Sequence, residues 1–366
     1  MAPNVNFSWT QFFPPKPHFT EDDVPKGLRG KVYVVTGANC GMGQELARVL
    51  YSKGAKVYIT CRTSEKSQQA IADVKREQNA GPNSKPQDER GELVSLEMDL
   101  ADLSTVQSAA RKFLLHESQL HGLFNNAGVM VGAKSGKTAQ GYEEALGVNC
   151  IGPFLFTQLL TPALAAAART QPVGTVRVVW VSGFGLEQFA PEGRGVDMEN
   201  LNYHVPRPPI DRYGISKAGV WLLAVEYARR HRQADGIVSV AINPGNIRTE
   251  LARHQGLALK LIAGAIVYPV VRGVCTQLFA AFAPEIGTQF DYTREWSEFC
   301  GLSSLHRVSA SLLTWSVCAH AVIPFGRIAP IRPDLVKATI PVEEGGNGNA
   351  KQFWAWNDDA VQKYLT

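Results

Sequence analysis

The sequence predicts an α/β fold, a doubly wound and mostly parallel sheet with helices on both faces, and three observations carry that expectation. From residue 31 onward, short β-rich runs alternate with longer stretches of helical spacing, as in βαβ units joined by right-handed crossovers. Several of the short runs are almost continuously apolar, as strands are when helices cover both faces. The first run ends in a glycine-rich turn that opens a helix.

In chain order, residues 31–36 (KVYVVT) form the first expected strand and 44–53 the first helix. The second strand is 56–60 (KVYIT), followed by a polar helix over 64–78. Residues 79–90, rich in Pro, Gly, Asn and charge, read as an exposed loop. A third strand at 93–98 and a helix at 104–116 precede the fourth strand at 122–125. A long helix covers 142–168, the fifth strand 176–181 (VRVVWV), a further helix 213–231 and the sixth strand 238–243. Two regions fall outside this rhythm. The Pro- and Phe-rich arm 1–30 is expected to wrap the surface, and 285–322 is an atypical insertion with no assignable strand or helix partner. The expected organisation is a single domain: the arm, a core over 31–284, the insertion, and a C-terminal extension over 323–366.

Composition narrows the function classes. Apolar residues make up 45% and charged residues 19% of 366, which is ample for a globular core. A net charge of +4 is mild. It gives no reason to expect nucleic acid, though it suits a ligand carrying phosphates. The six cysteines lie far apart with no CxxC pair, which points to a reducing, cytoplasmic setting rather than a disulfide framework. Among the eight histidines there is no HExxH or HxH cluster, so no catalytic metal is expected. The first 30 residues do not have the form of a secretory signal. Residues 308–326 lack Asp, Glu, Lys and Arg but include Ser309, Ser311, Ser316, His320 and Pro324. A buried or interfacial segment is expected there rather than a membrane span.

The first strand runs into Thr36-Gly37-Ala38-Asn39-Cys40-Gly41-Met42-Gly43 and then a helix. Glycines let the backbone turn sharply and approach a pyrophosphate, while the helix N-terminus offers free N–H groups and a positive dipole end. That places a Rossmann-type dinucleotide site at the first strand–helix junction. The second strand ends Thr60-Cys61-Arg62, with no acid to accept a ribose 2′-OH. Arg62, with Lys66 one helical turn on, would instead hold a 2′-phosphate, so NADP(H) is expected over NAD. A solvated surface arginine is the alternative.

These residues and those that follow resemble the short-chain dehydrogenase/reductase family over residues 28–284, with a possible return from 323 to the end. The likeness is greatest to retinol-dehydrogenase-like and fungal reductase members. The glycine motif TGxxxGxG is met by Thr36, Gly37, Gly41 and Gly43, and the acid that holds the adenine by Asp99. The NNAG motif is met by Asn125-Asn126-Ala127-Gly128, the active-site asparagine by Asn149, and YxxxK by Tyr213 and Lys217. The PG turn matches Pro244-Gly245-Asn246-Ile247-Arg248-Thr249, where the resemblance puts Ile247 and Thr249 at the nicotinamide amide.

Tyr213 and Lys217 are four residues apart at the start of a helix and so share a face. A free phenol titrates near about 10. The neighbouring ammonium, with the charge of an oxidised nicotinamide, is expected to pull that value down, so that Tyr213 exchanges a proton with the substrate oxygen during hydride transfer. The resemblance further implies that Lys217 binds the nicotinamide ribose and that Asn149 supports a proton-relay water.

One departure stands out. The family's fifth strand ends VSS, and its second serine bonds the substrate carbonyl; here the strand ends Val181-Ser182-Gly183, leaving glycine at that place. Four outcomes stay open: Ser182 takes over, another donor serves, the substrate needs none, or redox chemistry is impaired in favour of dehydration, cyclisation or mere cofactor binding.

The 27-residue connection 186–212 is a candidate pocket wall. The apolar stretch 256–282, with Leu259, Leu261, Ile262, Ile266, Val267, Val270 and Val271, matches the family's lid and implies a small hydrophobic carbonyl or alcohol substrate of secondary or lipid metabolism. A core helix or a homodimer interface fits the same stretch.

Overall fold

The computed structural model describes residues 5–80, 86, 89–130, 132, 136–248, 267–288 and 320–365. Eight strands form one sheet: β1 (Val32–Thr36), β2 (Lys56–Cys61), β3 (Glu92–Glu97), β4 (Gly122–Asn125), β5 (Arg177–Val181), β6 (Val238–Ile242), β7 (His320–Ile323) and β8 (Arg327–Pro330). Their order is β3-β2-β1-β4-β5-β6-β7-β8, and every pairing is parallel except β7 with β8. The strand order reverses beside β1, so the crevice at the carboxyl ends of β1 and β4 is the switch point where such sheets take ligands. The doubly wound expectation is met.

The strands read as apolar runs because both faces are covered. In β5, Val178 and Trp180 enter one core cluster while Val179 and Val181 enter the other, as period-two alternation demands. Helices α2 (Gly41–Ser52) and α8 (Val270–Phe282) cover one face. On the other lie α4 (Leu103–His116), α5 (Gly152–Ala168) and α7 (Pro209–Asp235). Helix α3 (Ser64–Ala80) flanks β2 and β3, and α1 (Val5–Phe12) belongs to the arm.

Three boundaries differ from expectation for physical reasons. Helix α7 begins at Pro209, a turn earlier than residue 213, because proline suits the first helical turn. The preceding connection is shortened again by the one-turn helix α6 (Gly185–Phe189). The chain rejoins the sheet at His320, since Val322 pairs with Ile242 and its carbonyl accepts the Asn243 amide at 2.7 Å. Residues 320–322 therefore belong to β7, not to the insertion, and residues 289–319 lie outside the described part.

The C-terminal extension supplies α9 (Pro333–Thr339) and α10 (Asn349–Val361). Helix α10 buries Phe353 and Trp354 against α5 and α7: the Trp354 ring meets Phe154 edge-on at 4.8 Å and carries the Arg230 guanidinium at 4.5 Å. Among the described residues, one helical stretch, Glu144–Ala168, has the length and apolarity to cross a membrane, and 72% of its most apolar window is buried within the fold.

Phe353 is fully buried, and a Cβ at Gly219 of α7 would stand 2.9 Å from its ring. Phe353→Ala should therefore lower stability by about 3–5 kcal/mol, read from urea denaturation. A loss under about 1 kcal/mol would mean that α10 is not part of the cooperative core.

Candidate active site

The glycine loop is built by backbone geometry and close approach. Gly37 and Gly41 hold φ of +63° and +58°, a region that favours glycine. A Cβ at Gly43 would stand 2.6 Å from both the Asn126 amide nitrogen and the Gly37 carbonyl. Helix α2 starts without a side-chain cap, leaving its N-terminus to a ligand. Asn39 is half-buried in the turn.

Across the crevice, the Thr36 hydroxyl accepts the amides of Asn126 and Ala127, each at 2.9 Å, and donates to the Phe124 carbonyl at 3.2 Å. The Asn126 side chain donates to the Thr36 carbonyl at 2.8 Å and accepts from Gln277 of α8, also at 2.8 Å. Asn126 thus fastens the NNAG turn to the glycine loop. No motif announced Gln277, which with its neighbour Thr276 is a fully buried polar residue in the mostly apolar helix α8.

At the far ends of β2 and β3, Arg62 and Lys66 are exposed. Arg62 has no hydrogen bond or ion pair among the described residues. Asp99 is half-buried; one carboxylate oxygen accepts the Ala101 amide at 2.9 Å, and its backbone is pinned by Thr105.

The proton-handling residues converge around Gly128. Lys217 Nζ lies 5.6 Å from the Tyr213 ring centroid and donates to the Val181 carbonyl at 2.9 Å. A Cβ at Gly128 would stand 3.1 Å from Lys217 Nζ and 3.2 Å from Asn149 Oδ1, so the last residue of NNAG must be small. Asn149 sits in a π-helical turn, Gly147–Ile151, a local widening common at functional sites. Its Oδ1 accepts the Val129 amide at 2.8 Å; its Nδ2 donates to the Val129 carbonyl at 3.0 Å and to Ser216 Oγ at 2.8 Å. Ser216 in turn donates to the Tyr213 carbonyl at 2.7 Å. Both amide donors of Asn149 are engaged, so its side chain ties the Val129 turn to the Tyr213 helix rather than holding a water through those donors.

Of the outcomes open at the missing serine, the geometry weighs against Ser182: it is 3% exposed, and its hydroxyl is engaged with the Lys217 carbonyl at 2.7 Å, fastening α7 to β5. At Gly183, by contrast, a Cβ would meet nothing within 4 Å. The expected fall of the phenol's pKa rests partly on the charge of an oxidised nicotinamide, and the protein alone shows the effect of burial. Burial pushes Tyr213 up to about 12 and Lys217 down to about 8, because desolvation disfavours both charged forms. In the protein alone, burial rather than the ammonium sets the direction.

Beyond the PG turn, Ile247 bridges Tyr268 and packs on α8, where a Cβ at Gly273 would stand 2.7 Å from its side chain. Thr249, Leu259, Leu261, Ile262 and Ile266 lie outside the described residues. Val274 and Leu278 of α8 are buried in the core, so that helix serves packing, while Val271 is 57% exposed.

A glycine loop of dinucleotide-binding form facing a half-buried tyrosine and a buried lysine across a switch point defines an α/β oxidoreductase of Rossmann type. Residues 31–189 match the short chain dehydrogenase family model. The chain is 44% identical to the short-chain dehydrogenase/reductase bet4 of Neocamarosporium betae, over 99% of this chain and 94% of that protein. It is 43% identical to a short-chain dehydrogenase/reductase of Phomopsis amygdali, over 98% and 97%. The chain belongs to the short-chain dehydrogenase/reductase family, whose members use nicotinamide cofactors. Solved structures share the fold at lower identity. The Pseudomonas aeruginosa RhlG/NADP active-site complex aligns with a TM-score of 0.54 at 21% identity, covering 70% of this chain and 91% of that one. A Brucella melitensis 3-ketoacyl-(acyl-carrier-protein) reductase complexed with NADH gives 0.52 at 20%, covering 72% and 94%.

The buried lysine has a measurable signature. Its folded pKa of about 8 lies below the ordinary 10.5, so between those values the unfolded chain binds more protons and stability rises with pH. Denaturation midpoints across that window should climb for the wild type relative to Lys217→Met. Parallel curves would show that Lys217 is not desolvated.

Proposed function

We propose that the protein is an NADPH-dependent oxidoreductase that interconverts a small hydrophobic carbonyl compound and its alcohol, with Tyr213 as the proton-transfer group. The supporting observation is the convergence of Tyr213, Lys217 and Asn149 on the space beside Gly128, next to the glycine loop. The cradle fits a dinucleotide: close glycines, an uncapped helix N-terminus, and Asp99 for the adenine. Arg62, exposed and unpartnered among the described residues at the end of β2, would bind the 2′-phosphate with Lys66 beside it. Ile247, with Thr249, would meet the nicotinamide amide.

Bound in that cradle, NADPH supplies the hydride. Tyr213 carries its proton at neutral pH, as any phenol does, and burial, which pushes it up to about 12, keeps it protonated; it would donate that proton to the carbonyl oxygen as charge develops there. Lys217, titrating at about 8, carries its proton at neutral pH and can hold the nicotinamide ribose while keeping a positive charge near the phenol. Asn149 and Ser216 fix the helix turn that aims Tyr213. The rings of Phe184 and Phe189, on the segment that packs against Tyr213 and Gly214, support an apolar substrate of secondary or lipid metabolism; the thiols of Cys61, Cys150 and Cys275, outside any disulfide among the described residues, support the cytoplasm. Gly183 favours a second reading, in which the site binds NADPH but runs a non-redox dehydration or cyclisation.

NADPH consumption against hydrophobic aldehydes, ketones and quinones separates the two, and Tyr213→Phe should lower turnover by about 10²–10⁴. Tight NADPH binding with no turnover would overturn the redox reading. Arg62→Ala should weaken NADPH far more than NADH, and equal loss would remove Arg62 from the phosphate role. Because space is open at Gly183, Gly183→Ser should raise turnover toward the 10²–10³ on the order of which one oxyanion-type donor contributes. An unchanged rate would mean that another group already fills that role.

A further inference from the structure

Gln11 is 4% exposed, although it belongs to a polar side chain on a terminal arm. Its amide oxygen accepts from Asn243 Nδ2 at 2.8 Å, and its amide nitrogen donates to Glu187 Oε1 at 3.4 Å. Asn243 directly follows β6. Glu187 lies in α6, the turn of helix that follows Gly183. The next residue, Phe12, meets the Phe184 ring edge-on at 4.8 Å, and its carbonyl accepts from the Tyr268 hydroxyl at 3.1 Å. Arg327 of the β7–β8 hairpin clasps Thr10 through its hydroxyl at 3.1 Å and its carbonyl at 2.7 Å.

Residues 10–12 therefore touch the segments that leave the carboxyl ends of β5 and β6, the rim at which parallel sheets bind ligands. Anchorage does not require this. The arm is already held by Phe19, Val24 and Leu28 in the core and by the Glu21–Arg48 ion pair at 2.6 Å. Trp9 and Phe13, their rings tilted against each other with centroids 4.3 Å apart, are 62% and 44% exposed, so the segment turns Gln11 and Phe12 inward and those two rings outward. On the same rim, the absent side chain of Gly183 leaves open space.

We propose that residues 10–12 of the N-terminal arm form the outer wall of the carbonyl site, and that Phe12 is a specificity-determining residue limiting the bulk of substrate that reaches Tyr213. The wall rests on the carbonyl-oxidoreductase reading of the site. Gln11 is its positioning residue, bridging the two strand ends so that Phe12 lies on Phe184.

Two readouts test it. With NADPH, Phe12→Ala should shift kcat/KM toward a bulky aldehyde such as naphthaldehyde, relative to propanal, by about tenfold, while NADPH affinity stays unchanged. Equal effects on both aldehydes would overturn the proposal. The second readout needs no turnover and so survives failure of the redox reading. A Gly183→Cys thiol is labelled with N-ethylmaleimide or pyrene maleimide, and the modified peptide is identified by mass so that Cys40 does not interfere. Opening the wall with Phe12→Ala, or loosening it with Gln11→Leu, should raise the ratio of bulky to small labelling severalfold. A ratio unchanged in both variants would mean that the arm does not border that space.

Discussion

The hydroxyl of Thr36 accepts two amides of the NNAG turn and donates to the Phe124 carbonyl, and the rest of the site is aligned by that junction. It fixes the separation of the β1 and β4 ends at the point where the strand order reverses. Because Asn126 and Ala127 are held there, Gly43 can approach the Asn126 side chain closely and Gly128 is set against Lys217 and Asn149. The glycine loop and the cluster of Tyr213, Lys217 and Asn149 are consequently two sides of one turn. Buried hydroxyls with every hydrogen-bonding position occupied are favourable anchors, whereas a partly satisfied one carries a desolvation penalty.

Lys217 illustrates the opposite condition. Its ammonium is 3% exposed and has the Val181 carbonyl as its hydrogen-bond acceptor. Burying such a charge without a carboxylate is unfavourable, and the depressed pKa expresses that. The fold tolerates it because α7 is held elsewhere: Ser182 grips the Lys217 carbonyl, Ser216 grips Tyr213, and Cys150 Sγ donates to the Ser216 carbonyl at 3.2 Å. A ligand hydroxyl beside Nζ would relieve part of the strain, which is a physical reason for a sugar-bearing cofactor to order this corner.

Much of this was legible in the sequence, and the reasons for the remainder are specific. Glycine spacing, the apolar runs and the Tyr–Lys offset are local patterns, so the sheet, the glycine loop and the Tyr213–Lys217 pair could be placed by residue. Gly183 was visible as a departure, but the direction of the Ser182 hydroxyl depends on α7 packing against β5, a contact with no linear signature. The same holds for Gln277 and for Gln11, whose partner Asn243 lies 232 residues away. The effect of burial on the Tyr213 phenol had no linear signature either, because burial, unlike charge spacing, is a property of the folded whole.

Helix α10 has a consequence for the order in which the protein becomes competent. Gly219, two residues beyond Lys217, rests against Phe353, and Gln107 of α4 reaches the Tyr364 carbonyl at 2.9 Å. A chain emerging from the ribosome only as far as residue 340 would carry every motif side chain, yet the back of α7 would still face water. Domains fold as units, so nascent chains of this kind should stay short of the finished fold until residues 349–361 emerge, leaving an interval of synthesis in which chaperones meet an exposed apolar seam along α5 and α7.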